Sequence, residues 1–270
     1  MNENSMSSKP KDRWASGEDY ERYVGRWSRL VAREFLKWLA IPAGSQWLDV
    51  GCGTGALSQT ILQFAEPAKV EGIDRSEGFV ALARVNTQDD RVQFEVGDAE
   101  SLTADSGTFD TAASGLVLNF IPQPDRAVAE MRRVTRSGGV VAAYLWDYVG
   151  RMQMMRHFWD TAIALDPSAY ELDQGRRFPI CQPDALSRLF ESAGLHHVEV
   201  RPMEVPTVFR DFDDYWSPFL AGQGPAPSYL MSLSDERRVA LRERIRAGLP
   251  FAPDGSIPLV ARAWAVRGLH

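Results

Sequence analysis

Between Gln46 and Trp146 short apolar runs alternate with amphipathic stretches, and this alternation restricts the chain to a parallel sheet covered by helices. Gln46–Val50 reads as a short buried strand, broken by Gly51-Cys52-Gly53-Thr54-Gly55 and followed by a helix with Leu57, Ile61 and Phe64 on one face. The pattern repeats through a strand at Lys69–Asp74, a helix at Glu77–Asn86, strands at Val92–Val96 and Phe109–Leu118, and a helix at Arg126–Thr135. A further strand is expected at Gly139–Trp146, after a Gly138-Gly139 turn. Ahead of this block, Val24, Trp27, Val31, Phe35 and Trp38 form a helical stripe that ends at Ile41-Pro42. Behind it the pattern is looser. Helices are expected near Met152–Leu165, Pro183–Ala193 and Ser234–Ala247, and strands at His197–Glu204 and Leu259–Val266. The last of these can pair antiparallel at the sheet edge. We therefore divide the chain into residues 1–45, a tail and cap helix, and one domain over 46–270 with insertions at about 147–182 and 205–256.

Composition narrows the class. The 270 residues are 44% apolar and 24% charged, as in ordinary globular chains. A formal net charge of −6 gives the whole molecule no electrostatic footprint for nucleic acid or anionic lipid, so neither is expected as a partner. The polar first fifteen residues read as an unstructured tail without the apolar segment of a signal peptide. The longest apolar runs, such as Val140–Trp146, are far shorter than the ~20 residues that cross a bilayer. With only Cys52 and Cys181, the chain suits a reducing compartment, and a cytoplasmic location is expected. His157, His196, His197 and His270 have no metal-ligand spacing, so no metal is expected.

The glycine loop between the first strand and helix is the chemical centre of the sequence. Glycines there admit positive φ and let a ligand approach the backbone, beside the donors of a helix N-terminus. Read alone, the loop is ambiguous. Gly51-x-Gly53-x-x-Ala56 also satisfies the dinucleotide pattern, and Asp74 at the end of the second strand could take ribose hydroxyls in either case.

Four features in order carry a resemblance. Asp49 stands two before Gly51 in Trp47-Leu48-Asp49-Val50-Gly51-Cys52-Gly53-Thr54-Gly55; Glu71-Gly72-Ile73-Asp74 closes the second strand; Gly97-Asp98-Ala99 follows the third; Phe109-Asp110 opens the fourth. Over Gln46–Trp146 the chain resembles the class I S-adenosylmethionine-dependent methyltransferases of the methyltransferase domain 11 type, a broad small-molecule group. The resemblance implies a doubly wound, seven-stranded, mostly parallel Rossmann-like α/β sheet with an antiparallel last strand. It implies S-adenosylmethionine as cofactor and a small-molecule acceptor as partner. Asp49 would accept from the methionine ammonium, directly or through water; Asp74 would take the ribose hydroxyls; Asp98 and the Ala99 N–H would take the adenine, with Arg75 over its face. Gly51, Cys52, Gly53 and Gly55 would form the loop, with Cys52 a small spacer, and the backbone near Ser114 and Gly115 would touch the methionyl part. In such enzymes a helix before the sheet closes over the cofactor, which brings in Tyr23 and Arg26, three apart on one helical face.

Methyl transfer from a sulfonium demands alignment, and a base only where the nucleophile needs one. Asn119, Asp147, Tyr148 and His157 are the nearby polar candidates, better suited to orienting the acceptor or to structure than to proton transfer. Ser114–Asn119 lacks the Asn/Asp-Pro-Pro-aromatic element of amino-methylating enzymes, the paired glutamates of protein arginine methyltransferases are missing, and Trp146-Asp147-Tyr148 lacks the Asp-Asn pair of magnesium-dependent catechol enzymes. A metal-free small-molecule acceptor follows. The rivals are an NAD(P)-dependent oxidoreductase, disfavoured by Gly97-Asp98-Ala99, and a non-catalytic S-adenosylmethionine-binding protein. The arginines of the 234–247 helix do not share a face and suit a solvated lid, and the tryptophans outside the core are expected to help wall an acceptor pocket.

Overall fold

The structure, a computed structural model, describes residues 25–221 and 224–270. The expected tail and Tyr23 lie outside these residues, as does the side chain of Arg26.

Seven strands form one sheet in the order β3-β2-β1-β4-β5-β7-β6. These are β1 (Gln46–Val50), β2 (Lys69–Asp74), β3 (Val92–Val96), β4 (Phe109–Gly115), β5 (Thr135–Trp146), β6 (His196–Phe209) and β7 (Ile257–Leu269). The first five run parallel, and β7 lies antiparallel to both β5 and β6. This is the doubly wound sheet expected from the alternation. Four helices frame it: α1 (Arg26–Leu39), α2 (Ala56–Phe64), α3 (Glu77–Asn86) and α4 (Pro124–Val134). Crossovers between parallel strands are right-handed, and the strand order reverses between β1 and β4, so α2 and α3 cover one face and α4 the other. The reversal opens a crevice beyond the carboxyl ends of β1 and β4.

Local chemistry explains the element ends. The stripe of α1 is buried at Trp27, Val31, Phe35 and Leu39, and the helix closes on Ala40 in the left-handed region. Ser76 caps α3 by accepting from the Phe79 N–H, and Pro124 occupies the first turn of α4, where a missing N–H costs nothing.

Two boundaries differ from the periodicity. Strand β5 begins at Thr135, directly after α4, because Thr135 pairs with Phe109 and the expected Gly138-Gly139 turn is a bulge inside the strand. A Cβ on Gly139 would stand 2.7 Å from the Asp110 carbonyl. Strand β4 stops at Gly115 rather than Leu118: Leu116 adopts φ 63°, and Leu118–Phe120 turns into a 3-10 helix. The apolar run read as continuous strand instead swings outward and becomes one wall of the crevice.

The second half adds α5 (Gln153–Leu165), α6 (Gln174–Arg177), α7 (Pro183–Ser192), α8 (Phe212–Trp216), α9 (Pro225–Ser232) and α10 (Asp235–Gly248). Edge strand β6 runs on to Phe209 because the alternation continues, with Met203, Val205, Thr207 and Phe209 buried on one face of the sheet. Its Pro202 and Pro206 are tolerated where no further strand follows. Rings of Phe158, Trp159, Phe209, Phe212, Tyr215, Trp216, Phe219 and Tyr229 make a chain of contacts with centroids 4.7–6.3 Å apart. Here the expectation for the described tryptophans is corrected; Trp14 lies outside the described residues. Trp27, Trp159 and Trp216 are buried in this packing, Trp38 lies under Arg267 and Arg201, and no tryptophan among the described residues lines the crevice. Large flat rings bury the most area where helices meet a sheet. Helix α10 likewise lines no part of the crevice; its Arg242 and Arg246 sit over Phe212.

Candidate active site

The crevice holds a cavity of about 1320 Å³. Its floor is the glycine loop. Gly51 and Gly53 adopt φ of +76° and +53°, and the Gly51 and Cys52 N–H groups both donate to the Ile73 carbonyl at 2.8 Å. A Cβ on Gly51 would collide with Val117, whereas one on Gly53 would meet nothing within 4 Å, so Gly53 turns a bare backbone toward the cavity.

Three carboxylates define the polar end. Asp74 lines the cavity; its Oδ2 accepts from the Gly53 N–H at 3.0 Å and its Oδ1 from the Ser76 N–H at 2.8 Å, leaving one lone pair on each oxygen for a ligand. Burial raises its pKa, and these two N–H groups oppose the shift. Asp98 and Ala99 line the next stretch, with Asp98 Oδ1 accepting from the Glu100 N–H at 2.9 Å. Glu100 in turn accepts from the Gln123 backbone and side chain, tying this loop to the opposite wall. Asp49 lies beneath the loop, fully buried and outside the cavity lining. Its Oδ2 accepts from the Ser58 hydroxyl at 2.7 Å, its Oδ1 has no partner, and burial pushes its pKa up to about 7.

The other expected cofactor residues divide in the same way. Gly51, Cys52, Gly53, Arg75 and Gly115 line the cavity. Gly55 and Ser114 lie behind it, the latter donating to the Val50 carbonyl at 2.8 Å. Burial and the charges of Asp49 and Asp74 push the Cys52 thiol well above its ordinary range, so it is a neutral filler.

Of the four acceptor-side candidates, only Asn119 reaches the cavity, and its Nδ2 is buried without a partner. Asp147 is buried and saturated elsewhere: it accepts from the Gly150 and Arg151 N–H groups, each at 2.9 Å, and pairs with Arg262 at 2.6 Å. Tyr148 is buried with its ring 6.0 Å from that of Phe178. His157 sits half-buried on α5, away from the lining, and burial lowers its pKa.

The apolar part of the lining comes from residues that carry no motif. Leu116, Phe120, Ile121, Tyr144, Phe178 and Phe79 line it, with Val117 against Gly51 of the loop. Gly115 is small for a reason: a Cβ there would stand 2.5 Å from the Tyr144 hydroxyl. Phe120 and Phe178 meet edge to face with centroids 5.2 Å apart. Only the aromatic residue type hinted at them, because Phe178 arrives from a segment with no periodic relation to the sheet.

The comparisons agree with this architecture. Residues 48–143 match the methyltransferase domain family. An uncharacterized 37.1 kDa protein in transposon TN4556 of Streptomyces fradiae is 38% identical over 108 residues, which span 38% of this chain and 31% of that protein. The demethylmenaquinone methyltransferase of Staphylococcus aureus (strain JH9) is 28% identical over 181 residues, covering 63% of this chain and 75% of the relative. Among solved structures, Haemonchus contortus phosphoethanolamine N-methyltransferase 2 in complex with S-adenosyl-L-methionine superposes with a TM-score of 0.60 at 16% identity, covering 96% of this chain and 58% of that one. Over residues 48–143 the chain thus matches the methyltransferase domain family, and the solved neighbour that shares its fold was captured with S-adenosyl-L-methionine. The residues present suit that cofactor: an open glycine backbone, a carboxylate with two free lone pairs beside it, and a buried carboxylate oxygen with no partner.

Among the described residues no helix is long and apolar enough to cross a membrane, and no group of three or more His, Cys, Asp or Glu could hold a metal ion.

Proposed function

We propose that this protein transfers a methyl group from S-adenosylmethionine to a small-molecule acceptor, without a metal, inside the 1320 Å³ cavity. The observation that carries this reading is one continuous cavity with two chemically different sets of lining residues: Asp74, Asp98 and Arg75 are charged, and Leu116, Phe120, Tyr144 and Phe178 are apolar or aromatic. A drug-sized ligand fills a pocket of at most ~1,000 Å³, so this one has room for a donor and an acceptor side by side. The relative from Staphylococcus aureus is named for a small molecule, which supports the same class of acceptor.

The bound cofactor supplies a methyl group already activated by a sulfonium charge. The chain's own residues align and desolvate it. Asp74 takes the ribose hydroxyls, and Asp98 with the Ala99 N–H takes the adenine. The backbone at Gly53 and Gly115 borders the methionyl part. Asn119 orients the acceptor from the cavity wall. Asp49 acts from below, its free Oδ1 favouring a cation above the loop. The direct test is incubation with methyl-labelled S-adenosylmethionine and a metabolite extract. A labelled small molecule is expected by mass spectrometry, and cofactor binding with no label in any product would favour a binding-only protein.

The role of Asp49 has its own signature. Its carboxyl titrates near 7 in the folded protein, against an ordinary 3.8, so the folded state holds the extra proton between these values. This group's contribution to stability therefore falls as pH rises from about 4 to about 7. A ligand ammonium near Oδ1 favours the carboxylate. Cofactor binding at pH 6 should then release up to about one proton, fading above about pH 8. Calorimetry in buffers of different ionisation enthalpy reads this directly. Asp49→Asn should abolish the buffer dependence, and buffer-independent heats in the parent chain would reject the role.

A further inference from the structure

The structure holds Phe178 in place more firmly than an exposed insertion loop requires. The Arg156 guanidinium on α5 donates to the Tyr148 carbonyl at 2.7 Å and to both oxygens of Asp173, at 3.1 and 2.8 Å. Arg156 and Asp173 are 13% and 8% exposed, so this forked pair works largely out of water. Asp173 also caps the short helix α6 by accepting from the Gly175 N–H at 2.9 Å. The buried Trp159 indole N–H donates to Gln174 at 2.5 Å. Helix α6 is thus fixed at its start by two groups from α5, and the residue following its last turn is Phe178. Its ring meets Phe120 edge to face and lines the cavity, while Arg177 packs over it at 5.3 Å from outside the lining.

The end of the cavity so formed is aromatic and apolar. Tyr144, Phe120 and Phe178 supply rings, and Leu116, Val117 and Ile121 supply aliphatic walls. Among the described lining residues Arg75 is the sole cation, and it adjoins Asp74. Arg177, the described cation over the Phe178 ring, lies outside the lining, so no described lining group beside the rings would neutralise a phosphate or carboxylate, and a buried anion without a partner is strongly disfavoured. Flat rings are favoured there, since stacked and edge-to-face contacts add to area burial.

We propose that Phe178 is a specificity-determining residue, that with Phe120 and Tyr144 it selects an uncharged acceptor carrying a flat ring, and that Arg156 and Asp173 are the positioning pair that presents it. This rests on the assignment of the cavity as a donor and acceptor site, but it can be tested without turnover.

The test uses the full chain saturated with S-adenosylhomocysteine, with 2-naphthol as a flat neutral probe and phosphoethanolamine as a charged aliphatic one. Binding is followed by calorimetry. 2-Naphthol should bind at least tenfold more tightly than phosphoethanolamine. Phe178→Ala should weaken it about tenfold and Phe178→Leu about threefold, with the S-adenosylhomocysteine Kd unchanged within twofold in both. Arg156→Ala should weaken the naphthol without moving the cofactor Kd, and Arg156→Lys should restore it only in part, because an ammonium cannot make the fork. Equal or tighter binding of phosphoethanolamine, or naphthol affinity indifferent to Phe178→Ala, overturns the proposal. Selective naphthol binding in a protein that methylates nothing would uphold the ring subsite while removing the methyl-transfer reading.

Discussion

Asp74→Ala should bind S-adenosylmethionine about 100-fold more weakly than the parent chain. The effect has two sources. The carboxylate offers one free lone pair on each oxygen to the ribose hydroxyls, and hydrogen bonds to a charged group contribute about 1.5–3 kcal/mol each. The same oxygens accept from the Gly53 and Ser76 N–H groups, so truncation also releases the turn that turns the Gly53 backbone into the cavity. Together about 3 kcal/mol is expected, after part of the loss is recovered by water, and that corresponds to roughly 100-fold. Asp74→Asn should fall between, because one oxygen remains an acceptor while the charge is gone. Calorimetric titration measures both. A Kd for Asp74→Ala within threefold of the parent value would remove Asp74 from the ribose.

The second large effect is on stability. Asp147→Ala should lower the unfolding free energy by about 3 kcal/mol, the low end for breaking a buried pair. One carboxylate, 4% exposed, receives the Gly150 and Arg151 N–H groups and the Arg262 guanidinium at 2.6 Å. Its own backbone N–H donates to the Arg262 carbonyl at 2.9 Å, and the Arg262 N–H returns to Arg151 at 3.0 Å. The turn that leads from β5 into the insertion is therefore fastened to β7 by this side chain together with two backbone hydrogen bonds. Removing it leaves two turn amides short of an acceptor and Arg262 with the Trp264 ring and, as its ion-pair partner, a distant Glu204, 3.8 Å away. For a chain of this size the melting temperature should fall by about 6–12 °C. Methyl transfer by the folded fraction should keep kcat within twofold, measured well below the new midpoint. A large loss of kcat with an unchanged melting temperature would instead restore Asp147 to the chemistry.

These two aspartates mark what was legible beforehand. Asp74 could be read because its surroundings are local: a strand ending in an acid, a fixed distance from a glycine turn, with both features set by short-range backbone chemistry. Asp147 stands at the end of β5, where ligands of such sheets gather, and its position alone makes it a site candidate. Its actual partner, Arg262, is 115 residues away, and no spacing rule connects them. The insertion follows the same logic. The helix at Gln153–Leu165 was visible from its apolar spacing, but nothing in that spacing said that Arg156 would grip Asp173 and turn Phe178 into the cavity.

By itself the sequence determined the doubly wound sheet, the glycine loop and the carboxylates around it. These follow from periodicity and turn preference within a few residues, where each residue's neighbours in the chain are also its neighbours in space. Only the tertiary structure decided that Trp27, Trp159 and Trp216 are buried among other rings, that the chain bends at Leu116 beside the cavity, and that Phe120, Tyr144 and Phe178 share its lining. Those outcomes depend on which side chains remain beside one another once the apolar faces are buried, and close packing settles that over the whole domain at once.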